Sequence, residues 1–185
     1  MKRLLCSCAA FVVFGGFTIA HAATFTVTSV ADGIPDTTDP GFNSADGFQV
    51  SDFDDGGLTL SEAIFLANEN GGDDTIVFDD GVFNGVSLDL TGNAAGAMVP
   101  IESNVTIDGS GVTGGLTIDG GATNGGFFVY SGDVTIQNLI IENTHAQGGD
   151  GGDGGGSGGG GGGLGGAVFV NDLATVTLDL SLIHI

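Results

Sequence analysis

Short apolar runs alternate along the chain with Gly, Asp and Asn. From Thr24 to Val30 apolar and polar residues alternate, which is typical of a strand with one buried face. The pattern therefore predicts a chain built almost entirely of short strands. Further short strand-like runs begin at Thr75, Val86, Val105, Leu116, Phe127, Val134, Leu139, Ala167 and Thr175.

The spacing of the runs predicts how the strands are arranged. Val105, Leu116 and Phe127 each begin a run and lie eleven residues apart, so that two steps make a unit of about 22 residues. Periods of this length favour a solenoid, in which strands of successive coils stack. An antiparallel sandwich also uses short strands with frequent turns and is the alternative.

Asparagine marks the expected bends. Gln137 and Asn138 form one polar pair between two apolar triplets, which predicts a strand, a sharp bend and a second strand. Asn tolerates the left-handed backbone that such a bend requires. Asn171 follows Val168-Phe169-Val170 and is expected to repeat the bend.

One amphipathic helix is predicted among the strands. Thr59 and Glu62 have the spacing of a capping box, in which each side chain accepts from the other residue's backbone amide. The segment 68–71, Asn-Glu-Asn-Gly, closes the helix. We expect the helix to cover the open end of a first coil, an ordinary crossover being the alternative. Its apolar stripe consists of Leu60, Ala63, Ile64 and Ala67.

The N-terminus has the pattern of a secretory signal. Met1-Lys2-Arg3 precedes an apolar run and the small residues around Ala22, so residues 1–22 are predicted to be a signal peptide. The apolar run is shorter than a membrane-spanning helix requires, and Gly15-Gly16 interrupts it. We therefore expect a protein that is secreted or associated with the cell surface or outer membrane.

The charge balance restricts the partners. Lys2 and Arg3 are the only basic side chains besides histidine, against 23 Asp and Glu. Nucleic acid is excluded as a partner because phosphate binding depends on Lys and Arg, and an anionic membrane surface is disfavoured for the same reason. Cys6 and Cys8 both lie in the signal segment, so the mature chain has no disulfide. An extracellular carbohydrate or a cell-surface protein remains as the expected partner.

A glycine-rich run occupies residues 148–166. Ordering each residue costs about 1–2 kcal/mol, and Leu164 is the only large apolar side chain there to offset that cost. We interpret the run as a flexible insertion at a turn, because Gly165-Gly166-Ala167 returns to the strand pattern; an interdomain linker is the alternative. Asp150 and Asp153 lack the apolar spacing of a calcium-binding β-roll.

Several segments together resemble one family. The chain is similar to the CSLREA-type N-terminal region of large secreted bacterial β-helix proteins in Phe25–Thr28, Gly56–Ile64, Ala67-Asn68, Gly72–Phe78 and Val105–Gly109. Leu58 stands in place of the cysteine of the CSLREA hexapeptide, and Ser61 in place of its arginine. The resemblance implies an all-β fold, a right-handed parallel β-helix with a short N-terminal amphipathic helix, similar to pectin-lyase-like proteins and to adhesin or autotransporter passenger domains. It implies no catalytic set.

The chain is accordingly divided into four parts. Residues 1–22 are the signal peptide, 23–57 an N-terminal strand and acidic loop, and 58–180 the CSLREA-like helix followed by β-helix coils. Residues 181–185 resemble translated adaptor read-through and are interpreted as a non-native tail, so that the chain is expected to be a fragment and His184 receives no functional role.

No catalytic, cofactor-binding or metal-ligating residue is assigned. A polysaccharide lyase of this fold needs an Arg or Lys base, which the mature chain lacks. Asp73-Asp74 and Asp79-Asp80 are carboxylate pairs of the kind used in glycoside hydrolysis, but adjacent residues on a strand point to opposite faces. His145 stands alone and is interpreted as a turn residue.

Calcium is the remaining chemical hypothesis. Residues 52–56, Asp-Phe-Asp-Asp-Gly, approach a calcium-binding loop but miss its spacing by one residue. A solvated acidic loop is the alternative. The aspartates that crowd this region are Asp32, Asp36, Asp39, Asp46, Asp52, Asp54 and Asp55.

These observations favour an exported scaffold that mediates adhesion or attachment through contacts along a rigid solenoid, without catalysis in this fragment. The alternative is the N-terminal part of a pectin-lyase-like polysaccharide-degrading enzyme whose catalytic residues lie in downstream coils.

Overall fold

Strands dominate the computed structural model, which describes residues 21–33, 56–92, 99–146 and 166–184. Each short run that the sequence predicts to be a strand falls wholly or partly in one. In chain order the elements are β1 Thr24–Val27, α1 Leu60–Asn70, β2 Asp73–Phe78, α2 Asp80–Phe83, β3 Leu88–Asp89, a 3-10 helix at Leu90–Gly92, β4 Asn104–Asp108, β5 Leu116–Asp119, β6 Phe127–Gln137, β7 Leu139–Glu142, β8 Val168–Asp179 and β9 Leu182–His184.

The strands form two parallel sheets. One sheet has five strands in the order β1-β2-β4-β6-β8, and the other has four in the order β3-β5-β7-β9. From β4 to β9 the chain moves from one sheet to the other with every strand. All strand pairs in the described ranges are parallel, so the predicted sheet-rich architecture is confirmed and the antiparallel alternative is wrong.

The strand register does not follow the uniform unit of 22 residues. Val105 pairs with Val134, 29 residues later, and not with Phe127. Leu116 pairs with Leu139 after 23 residues, whereas Phe127 pairs with Val168 beyond the glycine-rich run. The interval varies because the loops differ in length, while the register is set by the need to keep one face of each strand buried.

The core lies between the sheets and consists of side chains stacked in register. In the five-stranded sheet Phe25, Ile76, Ile107 and Ile136 occupy one inner row. The three isoleucines are fully buried. A second inner row, in the four-stranded sheet, contains the buried residues Leu88, Ile118 and Ile141.

Helix α1 begins and ends as predicted. The Thr59 amide donates to Glu62 Oε2 at 2.8 Å, and the Glu62 amide donates to Thr59 Oγ1 at 3.2 Å, which completes the capping box. The helix ends at Asn70, followed by Gly71 in a left-handed conformation (φ 61°). The predicted apolar stripe is buried, and α1 packs against β1 and β2.

Asp32 does not belong to a solvated loop, contrary to that interpretation of the acidic segment. It is only 3% exposed, and its Oδ1 and Oδ2 accept from the backbone amide and the hydroxyl of Ser61 at 2.8 and 2.7 Å. Ser61 lies in the first turn of α1, where the unpaired amides carry partial positive charge. The carboxylate is therefore buried because it anchors the start of α1. The other six aspartates of the calcium hypothesis lie outside the described residues.

The left-handed bend predicted at Asn138 is confirmed, with φ 58°, and Asn143 adopts a similar conformation with φ 51°. The bend expected at Asn171 is wrong, because Asn171 lies inside the long strand β8. The corner comes instead at Leu180 (φ 48°). Since Gln137 pairs with Asp179, Leu180 occupies the position that Asn138 holds on the neighbouring strand.

The glycine-rich run connects β7 to β8, and of its residues only Gly166 is described; the Gly126 amide donates to its carbonyl oxygen at 2.8 Å. The run thus leads from the four-stranded sheet, which contains β7, back to the five-stranded sheet, in which β8 pairs with β6. Residues 182–184 pair with β7.

The predicted signal peptide lies outside the described residues except for His21 and Ala22. Within the described ranges, no helix has the length and apolar character needed to cross a membrane.

Candidate binding surface

A row of threonines runs across the outer face of the five-stranded sheet. Each threonine is the Cα partner of the next, one from every strand. Because residues on a strand alternate between faces and the neighbouring row is the buried one, these side chains point outward. Adjacent strands are about 4.7–4.9 Å apart, so the hydroxyl groups repeat at that interval. The threonine row consists of Thr24, Thr75, Thr106, Thr135 and Thr177.

Carboxylates and amides alternate on both sides of the threonine row. On one side Asn104 lies between Asp73 and Asp133; its Nδ2 donates to Asp73 Oδ1 and its Oδ1 accepts from the Asp133 backbone amide, both at 2.9 Å. On the other side Gln137 lies between Asp108 and Asp179. The amides separate like charges that would repel each other if they stood directly opposite.

A shallow cleft of about 310 Å³ lies at the start of these strands. Its lining includes both members of the predicted Asp73-Asp74 pair. Asp73 is exposed, whereas Asp74 is 1% exposed and its Oδ1 accepts from the Ala23 amide at 2.7 Å and from Asn70 Nδ2 at 2.8 Å. The two carboxylates thus lie on opposite faces of β2, as predicted.

The Asp79-Asp80 pair serves local structure. Asp79 caps α2, with its Oδ1 accepting from the Gly81 amide at 2.7 Å. Asp80 Oδ1 accepts from the Thr113 amide at 2.6 Å.

No group of three His, Cys, Asp or Glu in the described ranges is arranged to hold a metal ion. His145 follows β7 in a loop, and its backbone amide donates to the Asn124 carbonyl at 2.8 Å. The calcium hypothesis depends mainly on aspartates outside the described residues, so it stays a prediction.

Two aspartates at strand ends have lowered pKa values. Burial raises the pKa of Asp108, but hydrogen bonds from the Ser110 amide and hydroxyl and from the amide side chains of Asn138 and Gln137 outweigh it, and the net pKa lies below its usual range. The hydroxyl and the backbone amide of Thr91 likewise lower the pKa of Asp89. Both groups are therefore ionised at neutral pH.

An aromatic cluster, defined as Phe128, Tyr130 and Phe169, lies on the outer face of β6 and β8. The ring centroids of Phe128 and Phe169 are 5.1 Å apart, and those of Phe128 and Tyr130 are 6.3 Å apart. Phe128 is 37% and Tyr130 46% exposed. The sequence predicted the strand but missed the cluster, because Phe169 joins it only through pairing across the glycine-rich run.

A β-bulge brings polar groups beside this cluster. Val129 pairs with Val170 and Ser131 with Leu173, so Tyr130 alone stands opposite two residues of β8, Asn171 and Asp172. Asn171 Nδ2 donates to the Tyr130 carbonyl oxygen at 3.0 Å. Bulges of this kind re-aim side chains and are common next to functional sites.

The chain matches no protein-family model, no curated protein and no solved structure.

Proposed function

We propose that the chain is a secreted right-handed parallel β-helix of the CSLREA type that acts as a scaffold for adhesion or attachment, binding an extracellular carbohydrate or a cell-surface protein along its outer face. The parallel sheets, the alternation of the chain between them and the stacked inner rows support this fold. The predicted signal peptide supports export to the cell surface or beyond.

The observation that carries the proposal is the threonine row with its flanking carboxylates and amides. One hydrogen bond contributes only about 0.5–1.5 kcal/mol net, so a single rung binds weakly. The five threonines in register offer the same hydroxyl group once per strand. Several such contacts made at the same time by one molecule bind more strongly than any one of them alone. A surface of this kind suits a polymer or a cell wall better than a small molecule.

The test is binding of the secreted protein to immobilised polysaccharides and to whole cells. Replacing Thr75, Thr106 and Thr135 together by Ala should weaken binding about tenfold or more, because three consecutive rungs lose their hydroxyl groups. Thr117→Ala is the control, since Thr117 lies in β5 of the other sheet. Unchanged binding by the triple variant would overturn the proposal, and release of reducing sugar by the wild type would favour the polysaccharide-degrading enzyme instead.

A further inference from the structure

The aromatic cluster exposes apolar surface where the fold does not require it. Phe127 and Val129 supply the buried side of β6, so the core is complete without the outward rings of Phe128 and Tyr130. Phe169 contacts Phe128 from the neighbouring strand, and the three rings form one patch. Contiguous exposed aromatic surface rimmed by polar residues is typical of a binding site.

Hydrogen-bonding groups surround the patch. Asp172 is exposed on the bulge opposite Tyr130. On the other side of β6, Ile101 bridges to Val129, which brings the exposed Glu102 next to the strand. Rings with adjacent carboxylates suit a ligand that has an apolar face and hydroxyl groups at its edge.

A pyranose ring has this character. Its C–H groups carry slight positive charge and can stack on the negative face of an aromatic ring, while its hydroxyl groups donate to carboxylates. The charge of the protein further restricts which class of sugar can bind. Beyond the signal segment the chain has no Lys or Arg to pair with an acidic sugar, and Glu102, Asp133 and Asp172 would repel one.

We propose that the aromatic cluster and the adjacent β-bulge form a docking site for an uncharged polysaccharide, whose sugar rings stack on Phe128 and Tyr130 while Asp172 accepts hydrogen bonds from sugar hydroxyl groups. The inference rests on the proposed scaffold function and names the class of its ligand. It excludes polyuronates such as pectate, because the exposed carboxylates Asp172 and Glu102 beside the cluster would repel their carboxylates.

The chain contains its own reporter for this site. Tyr130 is its only tyrosine, and there is no tryptophan, so tyrosine emission comes from the proposed site alone. Titration with a soluble uncharged glucan, galactomannan or xylan should change this emission and saturate, whereas polygalacturonate should leave it unchanged. Phe128→Ala keeps the reporter and should weaken the apparent affinity about tenfold or more, as truncation of a central stacking ring does.

Val86→Ala is the control, since Val86, like Phe128, is an exposed apolar residue and lies outside the cluster. Its affinity should equal that of the wild type, and a circular dichroism spectrum of each variant establishes that it is folded. Equal glycan affinity in the wild type and Phe128→Ala would overturn the docking site while leaving the scaffold function intact. Saturable binding of polygalacturonate, or of a cell-surface protein but no uncharged glycan, would also overturn it.

Discussion

Asn138 donates from Nδ2 to Asp108 Oδ1 at 3.0 Å, and the two residues are 30 positions apart in the chain. Asn143 makes the same contact with Asp119 Oδ1, also at 3.0 Å. In both pairs an asparagine with positive φ reaches back to the aspartate that ends the neighbouring strand. One side chain thus permits the bend and connects adjacent strands.

These two roles of Asn138 can be separated by substitution. Both Asn138→Gly and Asn138→Ala lose the hydrogen bond. Gly adopts the left-handed backbone without strain, whereas Ala adopts it only at an energetic cost. Left-handed conformation costs an ordinary residue about 1–2 kcal/mol, so the Ala variant should be less stable than the Gly variant by roughly that amount. Urea denaturation measures the difference; equal stabilities would show that the backbone conformation carries no strain.

Leu180 provides the converse test. It has φ 48° and is 81% exposed, in the position that Asn138 occupies one strand earlier. Leu180→Asn should raise the free energy of unfolding by about 1 kcal/mol, because Asn tolerates this conformation better. Leu182→Asn, also on an exposed leucine, should give no such gain. A lower stability of Leu180→Asn in the same denaturation experiment would contradict the prediction.

Asp108 should contribute to the acid sensitivity of the protein. Its pKa in the folded state lies below the value of about 3.9 for an unfolded chain. Its contribution is therefore fully present above the unfolded value and is lost as the pH falls through the folded pKa. Asp108→Asn should flatten the dependence of stability on pH below about pH 4. Thermal melting from pH 7 to pH 2 checks this, and parallel curves for variant and wild type would refute it.

The inner rows should dominate stability. Ile107→Ala should lower the free energy of unfolding by about 2–5 kcal/mol, since Ile107 is fully buried between Ile76 and Ile136. Thr106→Ala, at the adjacent outward position, should change it by less than about 1 kcal/mol. Comparable losses for the two variants in chemical denaturation would contradict the assigned faces of β4.

Asp32 should be needed at the start of α1. Asp32→Ala removes the acceptor of both Ser61 hydrogen bonds and should cost about 1–3 kcal/mol, the range expected when a buried donor is left without an acceptor. Asp79→Ala, which removes the exposed cap of the four-residue α2, should cost about 1 kcal/mol. Differential scanning calorimetry distinguishes the two; a larger loss for Asp79→Ala would count against the anchoring role of Asp32.

Features that depend on neighbours in sequence could be predicted without a structure. The capping box of Thr59 and Glu62, the strand at each alternating run and the left-handed bend at Asn138 all follow from a few adjacent residues. The opposite faces of Asp73 and Asp74 follow from strand geometry in the same way.

Features that depend on pairing between distant segments could not be predicted from the sequence. The register of Val105 with Val134, the burial of Asp32 beneath α1, the corner at Leu180 and the approach of Phe169 to Phe128 all join residues separated by loops of different length. The sequence by itself determined which residues form strands and which face of each is apolar, because those properties are local. Only the tertiary structure decided which strands pair, because the local pattern of a strand does not specify its partner across a loop of variable length. The pairing in turn decided which polar and aromatic side chains share the outer surface.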